Sequence, residues 1–149
     1  HKAASTGKPI IISTGMASGR DIDAALGQCP DFSTKVALLH CVSAYPCPIE
    51  DANLNRIDKL WDFFEVTVTG LSDHTLGTTA AIVATALGAS IVEKHITLDR
   101  NNGGPDAAFS LEPKEFAKLV QDVKDAYASL GTGERPKSEN YRDLRRTSA

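Results

Sequence analysis

The sequence lacks the features of a secreted, membrane-spanning or nucleic-acid-binding protein. It has three cysteines, an odd number, and none of them forms a CxxC pair, so we expect reduced thiols and no disulfide framework. No apolar run approaches the roughly 20 residues that a membrane helix needs, and residues 1–6 contain no apolar signal core. The net charge of −3 gives no electrostatic reason to bind nucleic acid or an anionic membrane. We therefore expect a cytoplasmic protein with neither kind of partner.

The residues that are present have the composition of an ordinary globular domain. Hydrophobic residues make up 42% of the 149 residues and charged residues 23%, which is enough to build one buried core. The apolar pattern extends over residues 1–133. Residues 134–149 alternate charges without apolar periodicity, which predicts a linker or tail.

Four short apolar runs alternate with four stretches of helical spacing. The runs lie at residues 10–12, 36–42, 66–71 and 90–97, and the helical stretches at residues 18–26, 50–64, 79–89 and 113–130. Continuous apolar runs are typical of parallel strands buried on both faces, so the alternation predicts a parallel α/β fold. The helical spacing also places Trp61 in the core, and it predicts a buried stripe on the last helix formed by Phe116, Leu119, Val120, Val123, Tyr127 and Leu130.

Polar side chains lie near or just beyond the carboxyl end of every predicted strand. The carboxyl ends of parallel strands share one edge, where ligands bind both in (β/α)₈ barrels and in open α/β sheets. The length of the chain matches a flavodoxin-like sheet, whereas its four β/α units match half of an eight-unit barrel. The residues at this edge are Ser13, Ser43, Tyr45, Ser72, His74, Glu93 and His95.

Two of these residues, His74 and His95, lie at the ends of consecutive strands of one β-α-β unit. They are 21 residues apart (95 minus 74), and the topology makes them spatial neighbours. Strand alternation places Glu93 with His95 on one face and Lys94 on the other. Two neutral imidazoles with oxygen ligands suit a divalent ion such as Mn, Fe, Co or Zn. The same pattern also fits two buried histidines, each hydrogen-bonded to the backbone.

Several sequence motifs together resemble those of the sialic acid synthase family, including its legionaminate and pseudaminate branches. They occur in the family's order and extend over nearly the whole chain. They are residues 8–16 (KPIIISTGM), 38–46 (LLHCVSAYP), 70–77 (GLSDHTLG), 93–99 (EKHITLD), 104–106 (GPD) and 110–113 (SLEP).

The resemblance implies that residues 1–133 form the C-terminal half, about strands 5 to 8, of a TIM (β/α)₈ barrel. Such enzymes condense phosphoenolpyruvate with an N-acetylated hexosamine, as with N-acetylmannosamine, and release phosphate. A divalent ion is implied at His74 and His95, with Mn as the first choice and Mg, Co or Zn as alternatives. Residues 134–149 would then lead toward a C-terminal antifreeze-like domain that the sequence does not include.

The resemblance also implies a role for each matching residue. Ser13 and Ser72 would contact phosphoenolpyruvate, whereas Tyr45 and Asp106 would contact the sugar hydroxyls. Ser43 stands at a substrate-binding position where some members have asparagine, and a hydroxyl offers fewer hydrogen bonds than an amide. Glu93, together with the two histidines, would form the catalytic group as a proton-transferring or orienting carboxylate.

Two departures from the family leave other functions open. The Ala107-Ala108 pair replaces a more polar pair, and the lysines that bind the phosphoenolpyruvate anion would lie in the missing half-barrel. The chain could therefore be inactive by itself. The alternatives are a non-catalytic half-barrel, which forms homo-oligomers or pairs with the missing half, and another phosphoenolpyruvate-dependent aldolase of TIM-barrel type.

Overall fold

The computed structural model describes residues 1–133, except for the side chain of Thr34. Four parallel strands form one sheet in the order β1-β2-β3-β4, and the strands are Ile10–Ser13, Val36–Cys41, Val68–Asp73 and Ile91–Lys94. The helices α1 to α5 are Gly19–Leu26, Phe32–Lys35, Arg56–Phe64, Thr79–Ala86 and Pro113–Leu130. This order confirms the predicted parallel α/β fold. The predicted tail, residues 134–149, lies outside the described residues.

The strand order excludes the flavodoxin-like alternative. In a flavodoxin-like sheet the order in which strands are added reverses once, which gives the order 2-1-3-4-5. Here each strand pairs with the next strand in sequence. The sheet is also curled, because Ser13 Oγ on the first strand lies 3.4 Å from Glu93 Oε2 on the last. In a flat sheet these strands would be roughly 14 Å apart, three spacings of about 4.8 Å. The four β/α units thus form half of a (β/α)₈ barrel.

Each strand has a helix face, which packs against helices, and an inner face, which would line a barrel. The helix face carries three apolar clusters; the largest joins α1 and α3 to β1 and β2, with Leu38 fully buried at its centre. On the inner face Ile11 remains 58% exposed. Gly70 is also on this face, and a Cβ there would lie 2.2 Å from the Ile91 carbonyl oxygen. The adjacent strands therefore require glycine at residue 70.

The prediction that Trp61 is buried is wrong, since this residue is 61% exposed. The side of α3 that faces the core is formed by Ile57, Leu60 and Phe64. At 100° per residue, Trp61 lies roughly 70° from the centre of that arc, so its indole projects from the edge. Helical spacing alone does not separate the edge of an apolar stripe from its centre.

The stripe predicted on α5 is only partly buried. Leu119 is buried, and Phe116 and Val123 pack against the same cluster. The exposed fractions of the other three residues are 37% for Val120, 73% for Tyr127 and 49% for Leu130. The helix α5 packs on α4, which has 8 residues against its 18, so the longer helix extends beyond its neighbour. No helix in residues 1–133 is both long and apolar enough to span a membrane.

Candidate functional site

A carboxylate at the carboxyl edge of the sheet accepts hydrogen bonds from two other strands. Ser72 Oγ on β3 donates to Glu93 Oε2 at 2.7 Å, and Ser13 Oγ on β1 lies 3.4 Å from the same oxygen. Ser72 is opposite Glu93 in the register of β3 and β4, so the pair lies on the inner face as alternation requires. The structure therefore brings together three of the predicted site residues.

The ring of His74 is fixed by a backbone hydrogen bond. Its Nδ1 lies 2.8 Å from the Val42 carbonyl oxygen, and a carbonyl can only accept, so Nδ1 carries the proton. The other ring nitrogen, Nε2, is then the basic one that can bind a metal. The residue is 6% exposed, and its own carbonyl accepts the Cys47 N–H at 2.8 Å. Both its backbone and its ring are held in place.

His95 lies beside His74, as the topology predicts. Their ring centroids are 5.3 Å apart, with an angle of 75° between the planes. An imidazole centre lies roughly 3.3 Å from a metal bound at about 2.1 Å from its nitrogen, so rings that share an ion lie at most about 6.6 Å apart. His95 Nδ1 is also 3.6 Å from Asp106 Oδ2. The separation of the rings fits a shared ion.

Two aromatic side chains flank the histidines. The Tyr45 ring lies 4.0 Å from His74 and 5.9 Å from His95, and the Phe109 ring lies 5.3 Å from His95, all between centroids. Desolvation, together with the nearby charges of Cys41, Asp106 and Glu93, raises the pKa of the Tyr45 phenol above its ordinary 10.0. The phenol therefore keeps its proton at neutral pH, and it can donate a hydrogen bond to a ligand.

Ser43 lies next to the loop that follows β1. A Cβ added to Gly15 would be 2.7 Å from Ser43 Oγ, and Gly15 has a φ of +37°, a conformation that favours glycine. This loop is anchored by Thr14, whose N–H and Oγ1 both donate to the Leu39 carbonyl at 2.9 Å. The exposed Ser43 hydroxyl thus belongs to the same edge of the sheet as Ser13.

The donor set at this edge is suited to a metal ion with open coordination positions. Within residues 1–133, no group of three or more His, Cys, Asp or Glu side chains is placed to hold a metal. His74 and His95 therefore offer two nitrogens, and oxygen atoms of water or substrate would have to complete the shell, as an open catalytic site requires.

The opposite face of the same strands carries a buried ion pair that the sequence pattern did not reveal. Lys94 Nζ lies 2.8 Å from Asp73 Oδ2, and the two side chains are 1% and 0% exposed. Strand alternation placed Lys94 away from the site, which the structure confirms, but alternation does not identify a partner. The signal that could have identified it is the parallel register, which puts Asp73 opposite Lys94.

Comparison with known proteins identifies a family match that includes all of the described residues. The model of the NeuB family matches residues 1–135. The pseudaminic acid synthase of Helicobacter pylori is 45% identical over 135 residues, 90% of this chain and 39% of that protein. The N,N'-diacetyllegionaminic acid synthase of Legionella pneumophila is 40% identical over 142 residues, 92% of this chain and 40% of that protein.

A solved structure shares the fold. It is the N-acetylneuraminic acid synthetase of Leptospira borgpetersenii serovar Hardjo-bovis in complex with citrate, with a TM-score of 0.84 and 40% identity. The match covers 98% of this chain and 52% of that one. The chain thus spans about half of this structure and about two fifths of the curated relatives.

Proposed function

The chain belongs to the NeuB family, and from that premise we propose that it supplies the carboxyl-edge site of an enzyme that makes a nonulosonic acid. The substrates would be phosphoenolpyruvate and an N-acetylated hexosamine. Carbon 3 of phosphoenolpyruvate forms a bond to the aldehyde carbon of the sugar, water adds at carbon 2, and the C–O bond to phosphate breaks. The products are the nine-carbon acid and inorganic phosphate.

The observation that carries this proposal is the pairing of His74 with His95, 5.3 Å apart. The Nδ1 of His74 donates to the Val42 carbonyl, so its Nε2 is available to a divalent ion, with Mn as the first choice. The ion, when bound, would polarise the sugar aldehyde. His95 would be oriented by Asp106, whose Oδ2 lies 3.6 Å from its Nδ1. Asp106 would also accept a hydrogen bond from a sugar hydroxyl.

Ser13 and Ser72 would bind the phosphoenolpyruvate anion, but both hydroxyls point to Glu93 here. A hydroxyl has one hydrogen, so a serine that donates to Glu93 cannot also donate to a bound anion. We therefore propose that Glu93 gives up these hydrogen bonds when phosphoenolpyruvate binds. Its carboxylate would then be available to accept a proton or to orient a substrate hydroxyl, while Ser43 and Tyr45 would contact the sugar.

Mn²⁺ binding tests this proposal most directly. The chain is titrated with Mn²⁺, and the free ion is measured by electron paramagnetic resonance. The His74→Ala/His95→Ala double variant is expected to abolish binding, because it removes both nitrogen donors.

The matched control is His40→Gln, which changes a histidine outside the site whose Nε2 donates to the Ala52 carbonyl at 2.7 Å. Glutamine can keep that hydrogen bond, so Mn²⁺ binding should be unchanged. Equal Mn²⁺ binding by the parent chain and the double variant would contradict the metal assignment. Phosphate release from phosphoenolpyruvate, assayed with several N-acetylated hexosamines in a protein that contains the complete barrel, then identifies the acceptor.

A further inference from the structure

Each site histidine directly follows one member of a buried ion pair. Asp73 precedes His74 and Lys94 precedes His95, and the Lys94 Nζ to Asp73 Oδ2 distance is 2.8 Å. Strand alternation sends the ion pair to the helix face, and neither side chain is more than 1% exposed. The pair therefore cannot touch a substrate on the inner face, although it is one residue away from both histidines.

The same network holds both chain neighbours of His74. Lys94 Nζ also donates to the Thr75 carbonyl at 2.6 Å. Asp73 Oδ1 accepts the Thr75 N–H and the Thr75 hydroxyl, each at 2.8 Å. One ammonium group on β4 thus holds Asp73, the last residue of β3, and Thr75, the residue after His74. The backbone of His74 cannot shift relative to β4 without straining the two hydrogen bonds that the Lys94 ammonium donates.

The position of the network in the sheet explains why such a restraint is needed. Asp73 and Lys94 form the last paired position of β3 and β4, so the strand hydrogen bonds end just before the two histidines. Beyond this point β3 and β4 are no longer paired with each other, and the carbonyls of His74 and His95 accept instead from the N–H groups of Cys47 and Leu111. A buried ion pair adds little stability compared with an apolar pair of similar size, because both ions lose their hydration. Its directional contacts instead fix a geometry.

We propose that Asp73 and Lys94 are positioning residues that hold His74 and His95 side by side, and so set the affinity of the two imidazoles for a divalent ion. The effect on metal affinity rests on the proposed function, which supplies the divalent ion. The alignment of the two imidazole rings can be measured in the metal-free chain. Residues that orient metal ligands from outside the coordination shell commonly change metal affinity by about 10- to 100-fold.

The test uses the Asp73→Asn/Lys94→Met double variant. Lys94→Met alone would leave a buried carboxylate without its cation and would risk loss of folding, whereas the double variant removes both charges together. Asparagine retains an oxygen that can accept from Thr75. We expect the dissociation constant for Mn²⁺ to rise about 10-fold or more, and the nuclear Overhauser effects between the two imidazole rings to weaken in the metal-free chain.

Two control variants separate positioning from general effects. Lys118→Met/Asp122→Asn removes the same charges from an ion pair on α5, 2.6 Å long, whose lysine is 71% exposed. Leu26→Ala destabilises the apolar cluster around α1 without contact to the site. Both should retain the Mn²⁺ affinity and ring contacts of the parent, even where Leu26→Ala lowers the melting temperature more than the double variant does.

The outcomes distinguish this inference from the proposed function. An Mn²⁺ affinity within twofold of the parent, together with unchanged ring contacts, would overturn the positioning role. A parent chain that binds no Mn²⁺ would overturn the proposed metal site and the effect on affinity with it. The ring contacts of the metal-free variant would then still decide whether the ion pair aligns the histidines.

Discussion

The inner face and the helix face of the sheet differ most at its carboxyl edge, although consecutive residues supply both. On the inner face, Ser72 donates a hydrogen bond to Glu93, whose carboxylate is exposed. On the helix face, Asp73 and Lys94 form an ion pair that is almost fully buried. The Glu93 carboxylate, which we propose exchanges partners with a ligand, is thus exposed even though Ser72 is only 4% exposed. The groups that we propose fix the geometry are shielded from water. Because side chains alternate between the two faces, one short segment supplies both kinds of group.

The largest effect on the inner face is expected from Gly70→Ala. The added methyl would lie 2.2 Å from the Ile91 carbonyl oxygen and 2.7 Å from Leu39 Cδ2, so β3 and β4 would have to separate. We expect a loss of about 3 kcal/mol in the free energy of unfolding, measured by urea denaturation.

A matched glycine on α1 provides the control. A Cβ at Gly19 would meet only Phe64 Cζ, at 3.9 Å, so Gly19→Ala should leave the free energy of unfolding nearly unchanged or raise it slightly. Equal effects of the two substitutions would mean that the inner face tolerates added volume as easily as an exposed helix does.

A smaller effect is expected when the serines that hold Glu93 are changed. Ser72 donates to Glu93 at 2.7 Å and Ser13 at 3.4 Å. Because the carboxylate is exposed to solvent, we expect Ser72→Ala to cost about 1 kcal/mol and Ser13→Ala a few tenths. The free energy of unfolding at neutral pH measures both. A loss of several kcal/mol from either would show that the inner face is as tightly constrained as the helix face.

On the helix face, protonation of His40 is expected to make the stability depend on pH. This is the smallest of the effects expected here. Burial, and to a lesser extent Arg56, lower the pKa of this histidine below 6.5, outweighing the hydrogen bond to the Ala52 carbonyl, which raises it. The unfolded chain then binds more protons than the folded chain, so stability falls as the pH drops below 6.5. In His40→Gln this part of the decline should be absent, as urea denaturation between pH 7.5 and 5.5 would measure. Identical pH profiles for the two chains would show that His40 is protonated as readily folded as unfolded.

The strands and the meeting of the two histidines could be predicted because both depend on pattern and topology. Apolar runs at Ile10–Ser13 and Val36–Cys41 correspond to buried parallel strands, and parallel strands bring their carboxyl ends together. The partner of Lys94 could not be predicted in this way, because alternation gives the face of a side chain but not its neighbour across the sheet. The prediction that Trp61 is buried failed for a related reason. Periodicity defines an apolar arc of the helix, whereas the neighbouring elements determine how much of that arc is covered. The substrate contacts of Ser13 and Tyr45 stay predictions.

The contact between Ser13 on the first strand and Glu93 on the last has a consequence for how such a barrel can arise. The bend that brings these residues together lies within the four strands β1 to β4. A gene segment that encodes this stretch would carry its own curvature into any fusion or duplication. A new partner would therefore meet an edge at which the curvature, and the spacing of Ser13 from Glu93, are already set.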